Sequence, residues 1–359
     1  MGSTMSQTVS IDGRKIGKAF PPYIIAELSA NHNGDLQRAL KTIEMAKKMG
    51  ADAIKIQTYT ADTITIDCDR DDFQIHGGLW DGYNLYKLYD WAHTPYEWHK
   101  AMFDKAKEIG ITLFSSPFDA TAVDLLESLG APAYKIASFE AIDLPLIKRV
   151  AQTGKPMIIS TGMADLQEIT EAVECARGNG CKELTLLHCI SGYPAPIEQS
   201  NLRTIPDIAE HFDVVAGLSD HTLGTVVSVS SIALGACVIE KHVTLSRADK
   251  GADSEFSLEP DELKKLCDDS YAAWQALGVA SYERKPVEEQ NLKFRRSLYV
   301  VKDVKKGEAF DAESVRSIRP GFGLKPKYYD DILGKLATRD IEYGSALCWS
   351  MVEGMTERD

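Results

Sequence analysis

The chain has 359 residues, 44% of them hydrophobic and 26% charged, the balance of a globular protein large enough for a barrel-sized core and a small second domain. A formal net charge of −13 argues against nucleic acid as a partner of the whole molecule, and no apolar run approaches the ~18 residues of a membrane span. Seven scattered cysteines without a C-x-x-C pair point to reduced thiols in a cytoplasm, and the short polar Met1–Gln7 has no signal-peptide core.

In chain order, eight short apolar runs each end in polar or ionisable residues, with a helical stretch after them. They are 23–26, 53–56, 111–114, 133–136, 157–159, 184–187, 214–218 and 236–239. Their ends carry Glu27, then Lys55 with Gln57, Ser115 with Ser116, Lys135 with Ser138 and Glu140, and Ser160 with Thr161. His188, Ser219 with Asp220 and His221, and Glu240 with Lys241 and His242 complete the set. Eight strand–helix units predict a (β/α)8 barrel, whose active site lies at the C-terminal ends of its strands. An open doubly wound sheet is the alternative, but closure alone gives all eight polar ends access to one site.

Between the runs, Asp35–Met49 has apolar residues at helical spacing and Gly50 to close it, and Thr94-Pro95-Tyr96-Glu97 reads as a capping box. The long insertion 58–93, rich in Asp, Tyr and Trp, is placed to build or cover the site. The barrel pattern stops near Gly278, giving domains 1–280 and 293–359 joined by a charged linker, 281–292. In the tail, short strands are expected at 297–301, 314–318 and 346–351, and a short helix at 330–336. Residues 293–319 hold eight Lys/Arg against four Asp/Glu, a basic surface suited to an anionic ligand or simply a solvated face.

The strand-end residues suggest chemistry. A lysine ending an apolar strand needs an anionic partner. Lys55, Lys135 and Lys241 therefore imply an anionic substrate, a Schiff base, or internal pairs with Glu27, Glu140 or Glu240. Ser116, Ser138, Ser160, Thr161 and Ser219 on one rim suit phosphate, although each alone reads equally as a helix cap. His221 and His242, on neighbouring strands, suit an open divalent-metal site, with His188 or His32 as a third ligand or a hydrogen-bonding residue. There is no G-x-G-x-x-G after a strand, no P-loop and no G-x-S-x-G elbow, so NAD, ATP hydrolysis and serine-esterase chemistry have no support.

The motifs A-E-L-S-A-N-H-N-G (26–34), K-I-Q (55–57), S-S-P-F-D (115–119), Y-K-I-A-S-F-E (134–140) and I-S-T-G-M (159–163) resemble the sialic acid synthase family. So do L-H-C-I-S-G-Y-P-A-P (187–196), G-L-S-D-H-T (217–222) and E-K-H-V-T-L (240–245). In the tail, Arg295-Arg296-Ser297, 305–308 and Arg319-Pro320-Gly321 resemble that family's C-terminal antifreeze-like (SAF) domain. Within the family, L-Y-K-L-Y, T-P-Y-E-W-H, K-I-A-S-F-E, D-S-E-F-S-L and R-P-G-F-G-L-K-P are closer to the pseudaminic branch than to the sialate branch. Legionaminate and spore-coat polysaccharide synthases are the alternatives within the family.

The resemblance implies condensation of phosphoenolpyruvate with an open-chain N-acetylated amino sugar, giving a nine-carbon 2-keto-3-deoxy acid and phosphate. It implies Lys55, Lys135 and Tyr193 near the pyruvyl carboxylate and sugar oxygens, and Ser116, Ser138, Ser160 and Ser219 around phosphate. Ser191 stands where sialate synthases carry Asn. His221 and His242 would hold a divalent cation, Mn2+ or else Mg2+ or Co2+. Glu27, Gln57, Glu140 and Asp253 would orient the sugar, with Glu140 as proton shuttle. Arg319 would reach the sugar's acyl group from the tail of the partner subunit in a domain-swapped homodimer. Phe139, Phe256 and Phe322 replace small or polar residues of the sialate pattern and would match the extra methyls of a 6-deoxy diacetamido sugar, at about 0.8 kcal/mol per buried carbon. Two rival readings are a Schiff-base aldolase, which would release no phosphate, and a non-catalytic sugar-phosphate-binding protein.

Overall fold

The computed structural model describes residues 7–356, so nearly all of the polar N-terminal stretch lies outside the described residues. The chain divides after Gly278 into two compact units. In the first, a small hairpin of β1 (Val9–Ile11) and β2 (Arg14–Ile16) precedes eight parallel strands closed into a barrel. These are β3 (Tyr23–Glu27), β4 (Ala53–Thr58), β5 (Thr112–Pro117), β6 (Tyr134–Ile136), β7 (Met157–Ser160), β8 (Leu184–Cys189), β9 (Val215–Asp220) and β10 (Val238–His242). Each strand lies beside its neighbour in sequence, and β10 closes on β3 with His242 opposite Glu27.

Five strands, β4, β5, β8, β9 and β10, run two or three residues past their apolar runs, because ladder hydrogen bonding continues where hydrophobicity stops. Several residues expected just beyond strands therefore lie within them, among them Ser116, Ser219 and His242, and Ser160 is the last residue of β7. Period-two alternation sorts the side chains into two cores. Outward-facing Ile24, Ile54, Leu113, Ile159, Leu186, Leu218 and Ile239 pack with the helices in the large core. Inward-facing Ile25, Ala53, Phe114, Ala133, Ile158, Leu187, Val215 and Val238 form the barrel floor, which Val9, Ile11 and Ile16 of the hairpin join. The apolar floor leaves only the C-terminal half of the interior for polar groups.

The helix Leu36–Met49 is capped by Asp35 and closed by Gly50 at φ 99°, as expected. The predicted capping box at Thr94 does not form. The helix Tyr96–Ile109 starts with Pro95 in the cap position, no side chain caps it, and the buried Thr94 hydroxyl has no partner. The insertion is partly ordered into short helices, Ala61–Ile64 and Leu85–Ala92. No helix among the described residues is long and apolar enough to cross a membrane, and all seven cysteines are unpaired.

The second unit is built on an antiparallel pair, β11 (Ser297–Val300) and β12 (Val315–Ile318), over a core that includes Leu298, Val300, Phe310, Val315, Ile332 and Leu347. The short helix there covers only Tyr329–Ile332. The strand expected at 346–351 is not one: Ala346 makes a single bridge to Tyr299, and Trp349–Met351 is a 3-10 turn. So small a unit closes its core with turns and isolated bridges.

Candidate active site

The inward-facing residues of the upper barrel make one polar cluster. Lys55 Nζ lies 3.0 Å from Glu27 Oε2 and 3.5 Å from Glu240 Oε1, and Lys135 Nζ lies 3.3 Å from the same Glu240 oxygen. Ser219 Oγ donates to that oxygen at 3.2 Å, Lys55 donates to Ser116 Oγ at 3.3 Å, and Gln57 Nε2 donates to Glu27 Oε1 at 3.2 Å. All four charged groups are buried. The lysines are thus paired internally, with Glu27 and Glu240 rather than Glu140.

Burial favours the neutral form of every group here, and the neighbours decide which stay charged. Burial raises Glu240, but Lys135 and Lys55 outweigh it and hold the carboxylate down at about 2. For Glu27 burial prevails over Lys55, with Glu240 adding repulsion, and its carboxyl is pushed up to about 7. Burial and the neighbouring Lys55 lower Lys135, although Glu240 opposes both, whereas Glu240 and Glu27 overcome burial and raise Lys55. Two lysines share the ionised Glu240 carboxylate, and both line the mouth where an anionic ligand would bind. Protonated Lys55 is also a poor imine former.

Glu140 lies in the turn Ser138–Glu140 after β6, with Oε2 buried and unpartnered. Burial pushes it up to about 7, Asp143 adds to this, and Lys135 opposes it. Ser160 Oγ and Glu240 Oε2 are likewise buried without partners. Ser138 Oγ accepts from the Gly162 amide at 3.2 Å. A Cβ on Gly162 would lie 2.2 Å from Ser191 Oγ and 2.7 Å from Ser138 Oγ, so the three strand-end loops meet closely only because residue 162 is glycine.

His221 and His242 sit side by side, ring centroids 5.4 Å apart. His221 Nδ1 donates to the Ile190 carbonyl at 2.9 Å, which fixes the tautomer and leaves Nε2 its lone pair. His242 Nδ1 is buried with no hydrogen-bond partner, and Asp253 Oδ2 is 3.9 Å away. Burial, then His221, Lys55, Lys135 and Lys241, push His242 well below its ordinary value, so it is a neutral donor. Burial also lowers His221, but Cys189 and the Ile190 carbonyl outweigh it, and the net direction is upward. A cation at the lone pair would reverse that shift. Two adjacent imidazoles, one with an orphaned nitrogen, suit a divalent cation. Among the described residues no group of three or more His, Cys, Asp or Glu converges on one point, so the remaining positions would be left to water or substrate.

Aromatic residues flank the histidines. Phe256 lies 4.9 Å from His242 and 5.2 Å from Tyr193, and Tyr193 lies 4.4 Å from His221. Asp253, one turn before Phe256, accepts from Ser29 Oγ at 2.5 Å. Trp80, from the insertion, reaches Tyr193 at 5.8 Å and donates to the Ala252 carbonyl. Neither Trp80 nor Ser29 stands out in the sequence.

Other expected residues lie elsewhere. His188 faces outward and meets the Ser200 carbonyl through Nε2, and Lys241 faces outward to Asp220. His32 accepts from the Gly34 amide and packs edge-on against Trp98. Neither His188 nor His32 joins the histidine pair. Of the three departing phenylalanines only Phe256 is buried, while Phe139 and Phe322 are exposed. Arg319 is exposed at the end of β12, in the second unit.

Residues 42–282 match the NeuB family and residues 295–353 match the SAF domain. The pseudaminic acid synthase of Campylobacter jejuni is 49% identical over 325 residues, covering 90% of this chain and 95% of that protein. That of Helicobacter pylori is 42% identical over 93% of this chain and 98% of its own. The crystal structure of N-acetylneuraminic acid (sialic acid) synthetase from Leptospira borgpetersenii in complex with citrate superposes with a TM-score of 0.72 at 30% identity, covering 82% of this chain and 98% of its own. With a closed barrel, a paired lysine–glutamate mouth and matches across both units, this chain belongs to the NeuB family.

Proposed function

We propose that the chain is a pseudaminic acid synthase. It joins phosphoenolpyruvate to open-chain 2,4-diacetamido-2,4,6-trideoxy-altrose and water, releasing phosphate and a nine-carbon 2-keto-3-deoxy acid. One observation carries this reading: identity of 49% to a pseudaminic acid synthase extends over 90% of the chain. The two lysines Lys55 and Lys135 at the mouth support it, since phosphoenolpyruvate brings a carboxylate and a phosphate.

In this reading Lys55, Lys135 and Tyr193 receive the pyruvyl carboxylate and sugar oxygens, and Ser116, Ser138, Ser160 and Ser219 take phosphate oxygens. Ser191, packed against Gly162, borders that group. Glu27, Gln57 and Asp253 orient the sugar, and Phe256 offers its methyls an apolar wall. His221 and His242 hold a divalent cation, Mn2+ or else Mg2+ or Co2+, which when bound supplies a Lewis acid for the sugar aldehyde. Carbon 3 of phosphoenolpyruvate bonds to the aldehyde carbon, whose oxygen takes a proton from Glu140. Water then adds at carbon 2 and returns a proton to Glu140, and collapse to the ketone breaks the bond to phosphate. The exposed Arg319 contacts the sugar's acyl group from the partner subunit of a swapped homodimer. A reducing, cytoplasmic compartment suits seven unpaired thiols.

The test is phosphate release from phosphoenolpyruvate with Mn2+, comparing the 6-deoxy diacetamido sugar with N-acetylmannosamine. Release with the 6-deoxy sugar alone is expected. Release with N-acetylmannosamine would keep the condensation chemistry and overturn the sugar assignment, and release with neither would overturn both.

A further inference from the structure

Behind the histidine pair, on the outer face of the barrel, lies a second buried ion pair that the chemistry above does not use. Asp220 immediately precedes His221 and Lys241 immediately precedes His242, and the two residues are direct partners across the β9–β10 ladder. Alternation turns the histidines inward and sends Asp220 and Lys241 outward, under the helix Val226–Ala233. Lys241 Nζ lies 2.8 Å from Asp220 Oδ2, and both side chains are almost wholly buried.

Asp220 has no spare capacity. Its Oδ1 accepts from the backbone N–H and the hydroxyl of Thr222, both at 2.8 Å, and its Oδ2 accepts from Ser228 Oγ as well as Lys241. Lys241 also donates to the Thr222 carbonyl at 2.5 Å. Thr222 is thus held at its N–H by the residue before His221 and at its carbonyl by the residue before His242. The backbone on both sides of His221 is tied to the strand that carries His242.

A buried ion pair is a poor source of stability, because desolvating two charges offsets most of their attraction, and apolar side chains would pin the strands as well. What it provides is direction: five hydrogen bonds of fixed geometry fix where each strand end points. We infer that Asp220 and Lys241 are positioning residues, a clamp that sets the spacing of the His221 and His242 rings for a shared divalent cation. This rests on the metal reading proposed above.

The experiment is Mn2+ titration of metal-stripped full-length protein, with free Mn2+ read by electron paramagnetic resonance and thermal unfolding followed in parallel. His221→Ala is the control for the metal site, and its loss of the Mn2+ bound by the wild type is expected. Lys241→Arg keeps the pair and should bind as the wild type does. Lys241→Met, which strands the Asp220 charge, should melt earlier and bind Mn2+ about 10–100-fold more weakly. The double variant Asp220→Asn with Lys241→Met removes both charges, and should recover the melting temperature while its Mn2+ affinity stays weak. A double variant that melts and binds Mn2+ like the wild type would overturn the clamp. Mn2+ binding that survives in the His221→Ala variant would overturn the metal reading itself.

Discussion

Replacing Glu240 with glutamine is expected to lower the stability of the barrel unit by about 3–5 kcal/mol. Glu240 Oε1 is the shared acceptor of Lys55, Lys135 and Ser219, and it is the carboxylate at ion-pair distance from Lys135. The amide would keep the shape and lose the charge, leaving Lys135 buried without its partner. Four of the five tryptophans lie in the barrel unit, so denaturant unfolding followed by tryptophan fluorescence reports its transition.

The pH dependence gives a second reading of the same variant. Glu240 is held at about 2, below its ordinary 4.5, so its stabilisation is complete above pH 4.5 and is lost as pH falls through 2. The variant should lack that loss on the acid side. On the alkaline side, Lys135 is already lowered by burial, and losing Glu240 lowers it further. The unfolded chain then binds the extra proton, so the variant should gain stability as pH rises. An unchanged midpoint with an unchanged acid limb would mean that the lysines are not held by this carboxylate.

Eight apolar runs, in order, are enough to specify eight parallel strands, because a barrel strand is covered on both faces and its hydrophobicity is nearly unbroken. That same property hides which way each polar end points. Lys241 and His188 read as mouth residues in the sequence, yet both face outward. The signal that separates them is parity: Lys241 lies between inward Glu240 and His242, and His188 lies between inward Leu187 and Cys189. Trp80 is less legible, since it sits in a long insertion where no periodicity fixes a side chain's direction. It meets Tyr193 only through tertiary folding. The capping box at Thr94 fails for a local reason: Pro95 occupies the cap position, so the threonine hydroxyl falls one residue short of its role. In the tail, a core closed by isolated bridges leaves no strand-length pattern to read at 346–351.

Replacing Glu140 with glutamine is expected to reduce kcat by about 10²–10⁴-fold at neutral pH with binding of phosphoenolpyruvate retained, the range of a lost general acid. Burial pushes the Glu140 carboxyl up to about 7, so near neutrality it is present in both forms, as a group that gives a proton and takes one back must be. The first proton is given, to the aldehyde oxygen as the carbon–carbon bond forms. The protonated form is therefore the competent one, and wild-type kcat should fall as pH rises through about 7. Glutamine cannot ionise, so the residual activity of the variant should lose that limb. A variant whose kcat still falls through 7 would move the titration to another group, with Glu27, also at about 7, the first to test.

Stability separates the two glutamates independently of turnover. Glu140 is raised from 4.5, so the folded state binds more protons between pH 4.5 and 7, and ionising it as pH rises costs stability. Its removal should therefore leave the barrel unchanged or firmer at about pH 8, whereas removal of Glu240 weakens it. A carboxyl that lowers stability when ionised and is needed for turnover is held in its buried position for proton transfer, and one that stabilises when ionised is held there to keep two lysines charged.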